Sequence, residues 1–307
     1  MTTPSTGATT PATPTAFAAV AVGPSRPRKA RGGILRAAIR RWPLTIGLAI
    51  VLLLCLGALA APLLSPYNPD IQSLTRRLQP PSGAHMFGTD EFGRDIFSRV
   101  LFGARITLLA STAAVLIAAL VGCTVGLTAG YFGGWYDAIV GRLVDILFAF
   151  PVILLGIAIV AIMGPGVTSV IVAIAVASLP NFARVSRSAI VPEKEREYVL
   201  AARVVGASTG YLIGRTLLPN LIGPLMVLIS LGFAYAVLYE ASLSFLGLGA
   251  QPPMPEWGVM LSTARDFIFQ APWYAFFPGA SIFILVFSLN LIGDGLRDAI
   301  DPHRRPV

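Results

Sequence analysis

Charge-free apolar runs alternate with short charged loops along this chain, and the lengths of the runs set the elements it predicts. A helix that crosses a membrane needs about 20 mostly apolar residues, each adding about 1.5 Å of rise. The first candidate runs from about Leu44 to Leu64 and the second from Ile106 to Gly130. The fifth runs from Leu217 to Tyr239 and the sixth from about Trp273 to Gly293. The third and fourth share the uncharged interval Ile146 to Ala183. That interval is too long for one span, and Gly164-Pro165-Gly166 breaks it with a tight-turn sequence, so it reads as a hairpin. The pattern predicts an all-α membrane protein with six transmembrane helices.

Composition agrees. Of 307 residues, 55% are hydrophobic and 12% charged, with mean hydropathy +0.74, where a soluble domain is about 25% charged. The formal charge of +8 does not point to nucleic acid, because the basic residues flank apolar runs and no basic surface interleaved with aromatics is present. Their placement instead orients the chain, since Lys and Arg collect on the cytoplasmic side. Arg26, Arg28, Lys29, Arg31, Arg36, Arg40 and Arg41 precede the first span, which predicts a cytoplasmic N-terminus. Six crossings return the chain there, with Arg297, Arg304 and Arg305 at the other end and Arg184, Arg187, Lys194, Arg196, Arg203 and Arg215 in one inner loop. The segment between spans one and two resists this parity, because Arg76, Arg77, Arg94, Arg99 and Arg105 then lie outside, beside Asp70, Asp90, Glu91 and Asp95.

The chain divides accordingly. Residues 1–41 read as a disordered tail, rich in Thr, Pro and Ala and basic from Arg26 onward. Residues 42–105 carry the first span and an extracytoplasmic segment, 106–296 a core with a cytoplasmic loop at 182–216, and 297–307 a cytoplasmic C-terminal tail. Ala58-Leu59-Ala60 mimics a signal-peptidase site, but the apolar run before it is longer than a signal sequence carries, so an uncleaved anchor is expected. Cys55 and Cys123 fall inside spans and read as small hydrophobes.

Catalytic patterns are missing from the sequence. The two histidines, His85 and His303, have no zinc or Ser-His spacing, and no GxxxxGK[ST] phosphate loop occurs. Two stretches carry candidate function instead. Glu240 ends the fifth run, where it either faces a water-filled substrate path together with Ser242 or bonds the backbone and hydroxyls near Ser242 and Ser244. Asp137, Arg142 and Asp145 read as a solvated cluster in a short turn between spans two and three.

The other stretch, Tyr198 to Pro219, reads YVLAARVVGASTGYLIGRTLLP. Tyr198 to Val205 allow about two helical turns, Gly206 suits a left-handed C-terminal position, and Ser208 can cap a second helix starting near Thr209. So short a helix needs a packing partner. The residues leave open whether that partner is another protein or the chain's own bundle.

Ala201, Ala202, Gly206 and Leu218-Pro219 resemble the cytoplasmic coupling motif of ABC importer permeases. FGTDEFGR at 87–94 followed by Asp95, ASLSFLGLG at 241–249 leading to Gln251-Pro252-Pro253 and Trp257-Gly258, and GDGLRDAIDP at 293–302 resemble the C-type permease subunit of dipeptide, oligopeptide and nickel importers. Two positions depart from the motif: Leu200 stands where an acidic residue is common, and Thr216 where a branched apolar one is. The resemblance implies an ABC type I importer permease fold in a bacterial inner membrane. It implies ATPase coupling through Leu200, Ala201, Ala202, Arg203, Gly206, Ala207, Ser208 and Pro219. The implied partners are a homologous second permease, two ATPase subunits that hold ATP and Mg, and an extracytoplasmic solute-binding protein, with no cofactor on this chain. Nickel or another small solute is the alternative cargo. A secondary transporter driven by an ion gradient is the alternative class, against which stand the lack of ionisable residues at span midpoints and of an inverted repeat.

Overall fold

A computed structural model describes residues 42–300. The basic tail at 1–41 and residues 301–307, including His303, Arg304 and Arg305, lie outside the described residues. The main elements are α1 (Trp42–Leu59), α2 (Ile96–Phe132), α3 (Gly134–Phe148), α4 (Val152–Met163), α5 (Val167–Glu193), α6 (Glu197–Val204), α7 (Leu218–Phe245), α8 (Trp257–Ala264) and α9 (Pro272–Ile300). Five of them, α1, α2, α5, α7 and α9, are long and apolar enough to cross a membrane. The pair α3 and α4, bent by 91°, is apolar and long enough only when taken together and makes a sixth crossing if it is one broken span.

That bend corrects the third span. The break at 164–166 stands, with Gly164 at φ +85° and Gly166 at φ +153°, but α4 has only 12 residues, about 18 Å at helical rise. Proline at 151, which disfavours the helical region for the residue before it, separates it from α3. The acidic and basic residues assigned to a short turn therefore sit on a 15-residue helix. Val140 and Val144 of α3 are buried, while Trp135, Ile139, Leu143 and Ile146 form an exposed apolar stripe. Asp137 and Asp145 reach α5, pairing with Arg187 at 2.5 Å and Arg184 at 2.8 Å, so the cluster bridges two helices.

Helix α2 starts ten residues before the apolar run does. Asp95 caps it, its carboxylate accepting from Ser98 N at 2.8 Å and Ser98 Oγ at 2.7 Å, a side-chain bond worth about 1 kcal/mol. Helices α2 and α5 pair extensively, and glycines let them approach. A Cβ on Gly126 would lie 2.1 Å from Ala183 O, one on Gly130 2.5 Å from Ile190 Cγ2, and one on Gly122 2.7 Å from Phe182 Cβ. Where lipid is as apolar as leucine, such small-residue stripes let backbones approach and pack. Helix α9 runs antiparallel to α7, with Gly293 against Leu231, and its C-terminal end meets the start of α1, where Gly295 lies against Leu44. Trp42 and Ile300 thus lie toward the end of the bundle where α7 begins.

The opposite end is closed by residues 65–95 and 247–271. Arg94 pairs with Asp90 at 2.5 Å and Glu91 at 3.0 Å, and Asp95 meets His85 Nδ1 at 2.9 Å. Arg99 donates to Pro69 O at 3.0 Å and Pro253 O at 3.4 Å, tying the two segments together. Within the second of these segments lies α8, whose Trp257 is buried and donates Nε1–H to Val100 O at 2.9 Å.

Candidate functional site

At the end of the bundle where α7 begins, α6 packs chiefly through Val199, with Ala202 beside it. Val199 is fully buried beside Ile190, Leu212 and Leu217, while Leu200, Ala201 and Arg203 face outward and Ala202 is half-buried. The helix closes as a Schellman motif: Ala207 N donates to Ala202 O at 3.1 Å and Gly206 N to Arg203 O at 3.0 Å. This requires a left-handed residue, and Gly206 has φ +89° with nothing within 4 Å of its missing Cβ. Ser208 then caps the next turn, its Oγ accepting from Tyr211 N at 3.4 Å. A π-helical stretch, Leu212–Leu217, joins this turn to α7. Pro219 follows this stretch directly, at the second residue of α7, where its missing N–H interrupts the hydrogen-bond ladder of an otherwise continuous helix.

Polar contacts brace the segment from behind. Lys194 Nζ donates to Gly130 O at 2.8 Å and Tyr131 O at 3.2 Å, at the end of α2. Glu193 is fully engaged, with Arg196 at 2.9 Å and the Tyr198 hydroxyl at 2.7 Å. Asn220 Nδ2 donates to the same hydroxyl at 2.9 Å, which links α6 to α7. Burial first, then the bond to Glu193, raises the Tyr198 phenol above its ordinary range, so the hydroxyl stays a donor at neutral pH. What projects from this braced element is apolar: Val204 and Val205 are 87% and 88% exposed. The pair leaves an uncovered apolar tip at the end of the braced helix.

Glu240 and Ser242 are not brought together. They lie two positions apart on α7 and so face different sides. Ser242 Oγ donates to Leu238 O at 2.7 Å. Glu240 is 2% exposed, so the span end does not solvate it, and its ionisable neighbour is Glu256, whose Oε1 accepts from Thr107 Oγ1 at 3.3 Å. The sequence reading missed Glu256. Its position just before Trp257-Gly258, with no capping serine or threonine nearby, was the available signal: it caps α8, accepting from Gly258 N at 2.6 Å and Val259 N at 3.0 Å.

Comparison with known proteins settles the family. Residues 122–306 match the family described as the binding-protein-dependent transport system inner membrane component, and residues 35–81 match the N-terminal transmembrane domain of oligopeptide transport permease C. The chain belongs to this ABC importer permease family. Among its relatives, the dipeptide transport system permease protein DppC of Alkalihalophilus pseudofirmus is 49% identical over 85% of this chain and 86% of its own length. The glutathione transport system permease protein GsiD of Pectobacterium atrosepticum is 48% identical, over 83% and 85%. A solved structure of the MetNI methionine ABC transporter in inward-facing form superposes with a TM-score of 0.56, over 66% of this chain and 96% of that one, at 21% identity. That likeness shows the permease fold. The chain is thus a multi-pass membrane permease, and its C-type signature segments fall within or beside the matched regions.

Proposed function

We propose that this permease forms half of the translocation path of an ATP-driven importer of short peptides. Its 197–208 element would be the surface on which a cytoplasmic ATPase docks. The observation that carries this reading is the braced, outward-facing α6 with its uncovered Val204 and Val205, at the end where α7 begins. The relatives' names support the cargo class: one is called a dipeptide permease, another, 45% identical, a di/tripeptide permease, and a third a glutathione permease. Their near-equal identities favour no single peptide.

In this reading both termini and α6 are cytoplasmic, and the 65–95 and 247–271 segments face outward, toward a solute-binding protein. A second, homologous permease covers the outward apolar faces, and ATP and Mg stay with the ATPases. Closure of the ATPases pushes the α6 element, and α7, continuous with it through the π-helical stretch, carries the displacement into the bundle. The chain itself supplies path and lever, not hydrolysis.

The test is uptake by the reconstituted complex in vesicles. Labelled dipeptide should accumulate with ATP inside the compartment that holds the ATPases and should not accumulate with an ion gradient alone. Accumulation driven by the gradient without ATP would replace this reading with a secondary transporter.

A further inference from the structure

Glu240 and Glu256 form a buried ionisable pair that the transport reading leaves without a task. Both are almost fully enclosed, at 2% and 0% exposure. Glu256 accepts from two backbone N–H groups of α8, and the Thr107 hydroxyl lies 3.3 Å from its Oε1. The facing groups from α2 and α7 are Thr107 and Ser244, both uncharged, and no Arg, Lys or His forms an ion pair with either carboxyl among the described residues. Two neighbouring carboxylates, dry and without a cation, would each lose hydration and repel the other; a single proton between them removes the repulsion and one of the two desolvation costs, and the backbone donors of α8 offset the other. Hydrogen-bond accounting says where it sits. Glu256 already receives donors as a capping carboxylate does, whereas Glu240 Oε2 has no donor within reach, so Glu240 must supply one.

We infer that Glu240 donates a carboxylic O–H to the Glu256 carboxylate, and that this bond fastens the far end of α7 to α8. Helix α7 starts at Leu218, directly after the docking element, and reaches Glu240 about 33 Å away at helical rise. Glu240 is therefore a positioning residue: it makes the segment that closes the opposite end of the bundle follow the helix that leaves the docking element.

The inference rests on the proposed function only where transport is the readout, so its first test avoids transport. Infrared spectra of the assembled complex at neutral pH should show the carbonyl band of a protonated carboxylic acid that disappears in Glu240→Gln. If the wild type and Glu240→Gln give the same carboxylic-acid band, there is no such proton and the inference fails. The second test compares variants in vesicles. A glutamine at 240 keeps a donor toward Glu256, so Glu240→Gln should retain peptide-stimulated ATP hydrolysis and uptake within about twofold. Glu256→Gln puts an amide against two backbone donors and should lower both by about tenfold or more. Loss in Glu240→Gln equal to that in Glu256→Gln would mean an ionised Glu240. A raised KM with unchanged kcat in Glu240→Gln would mean a substrate contact, and uptake that depends on added Na⁺ would put a cation where the proton is placed. Each of these overturns the inference. Should Glu256→Gln fail to assemble, the infrared comparison and the Glu240→Gln kinetics still decide it.

Discussion

Gly206 concentrates the demands of the docking element in one backbone angle. Its φ of +89° sits in open space, so a substituent meets no neighbour and only the backbone objects. Valine there should cost roughly 1–2 kcal/mol or more, resolved by tilting α6 or by opening the Schellman bonds. The complex carrying Gly206→Val should still insert and assemble, while stimulated ATP hydrolysis and uptake both fall; wild-type rates would remove the lever assignment. A fair comparison is Gly210→Ala, helical and likewise without a neighbour within 4 Å. Gly232, in the middle of α7, is a poor control because a Cβ on it would lie 2.8 Å from Phe182 Cζ. The turn chemistry at Gly206 and Ser208 was legible because caps are local: the residue that needs the special conformation is the one that announces it. Glu240 was not, since its partner is 16 positions away in sequence and only the packing of α8 into the bundle brings the carboxyls together.

Among the helices, apolar length located α1, the membrane-crossing part of α2, α7 and α9, the Gly-Pro-Gly turn marked the 164–166 break, and the polar start of α2 and the helical state of α3 were missed because their polarity is structural. Helix α2 begins in polar sequence because Asp95 caps it and Arg99 is absorbed by carbonyls. Helix α3 is amphipathic, so its charged positions looked like a turn. The stripe Gly122, Gly126 and Gly130 was present in the sequence as a four-residue repeat, a signal for close packing that hydropathy averages away. Gly126→Leu should be the severe substitution on that face. Its Cβ would fall 2.1 Å from a backbone oxygen of Ala183, which no rotamer relieves, so α2 and α5 must separate. Loss of about 2–4 kcal/mol is expected, seen as a lower thermal midpoint of the detergent-purified complex. A midpoint unchanged from wild type would show that the two helices do not approach so closely. The exposed pair Arg187–Asp137 contributes on a smaller scale, about 0–1 kcal/mol, as surface pairs do.

For the whole molecule, two of the five arginines of the 65–105 region weigh less against the outer location proposed for it, while Arg76, Arg77 and Arg105 stay exposed. Arg94 and Arg99 are buried among Asp90, Glu91 and backbone carbonyls, so they present little free charge to either side. Accessibility labelling checks the orientation directly: a cysteine at Ser82 should react with an impermeant reagent from outside intact cells, and one at Ser208 should react only after lysis. The reverse pattern would invert the topology.

The uncovered valines of α6 also bear on the life of the chain before assembly. A subunit made without its partners would present Val204 and Val205 to the cytosol, the kind of surface that chaperones and membrane proteases survey. Abundance would then be policed by the same two side chains proposed to dock. Expressed alone, the permease should turn over several-fold faster than in the full complex in a pulse-chase measurement, and Val204→Ser with Val205→Ser should lengthen its solitary half-life while weakening assembly. Equal half-lives for the lone and assembled subunit would mean that the cell reads excess permease by some other surface, and that stoichiometry is not written into α6.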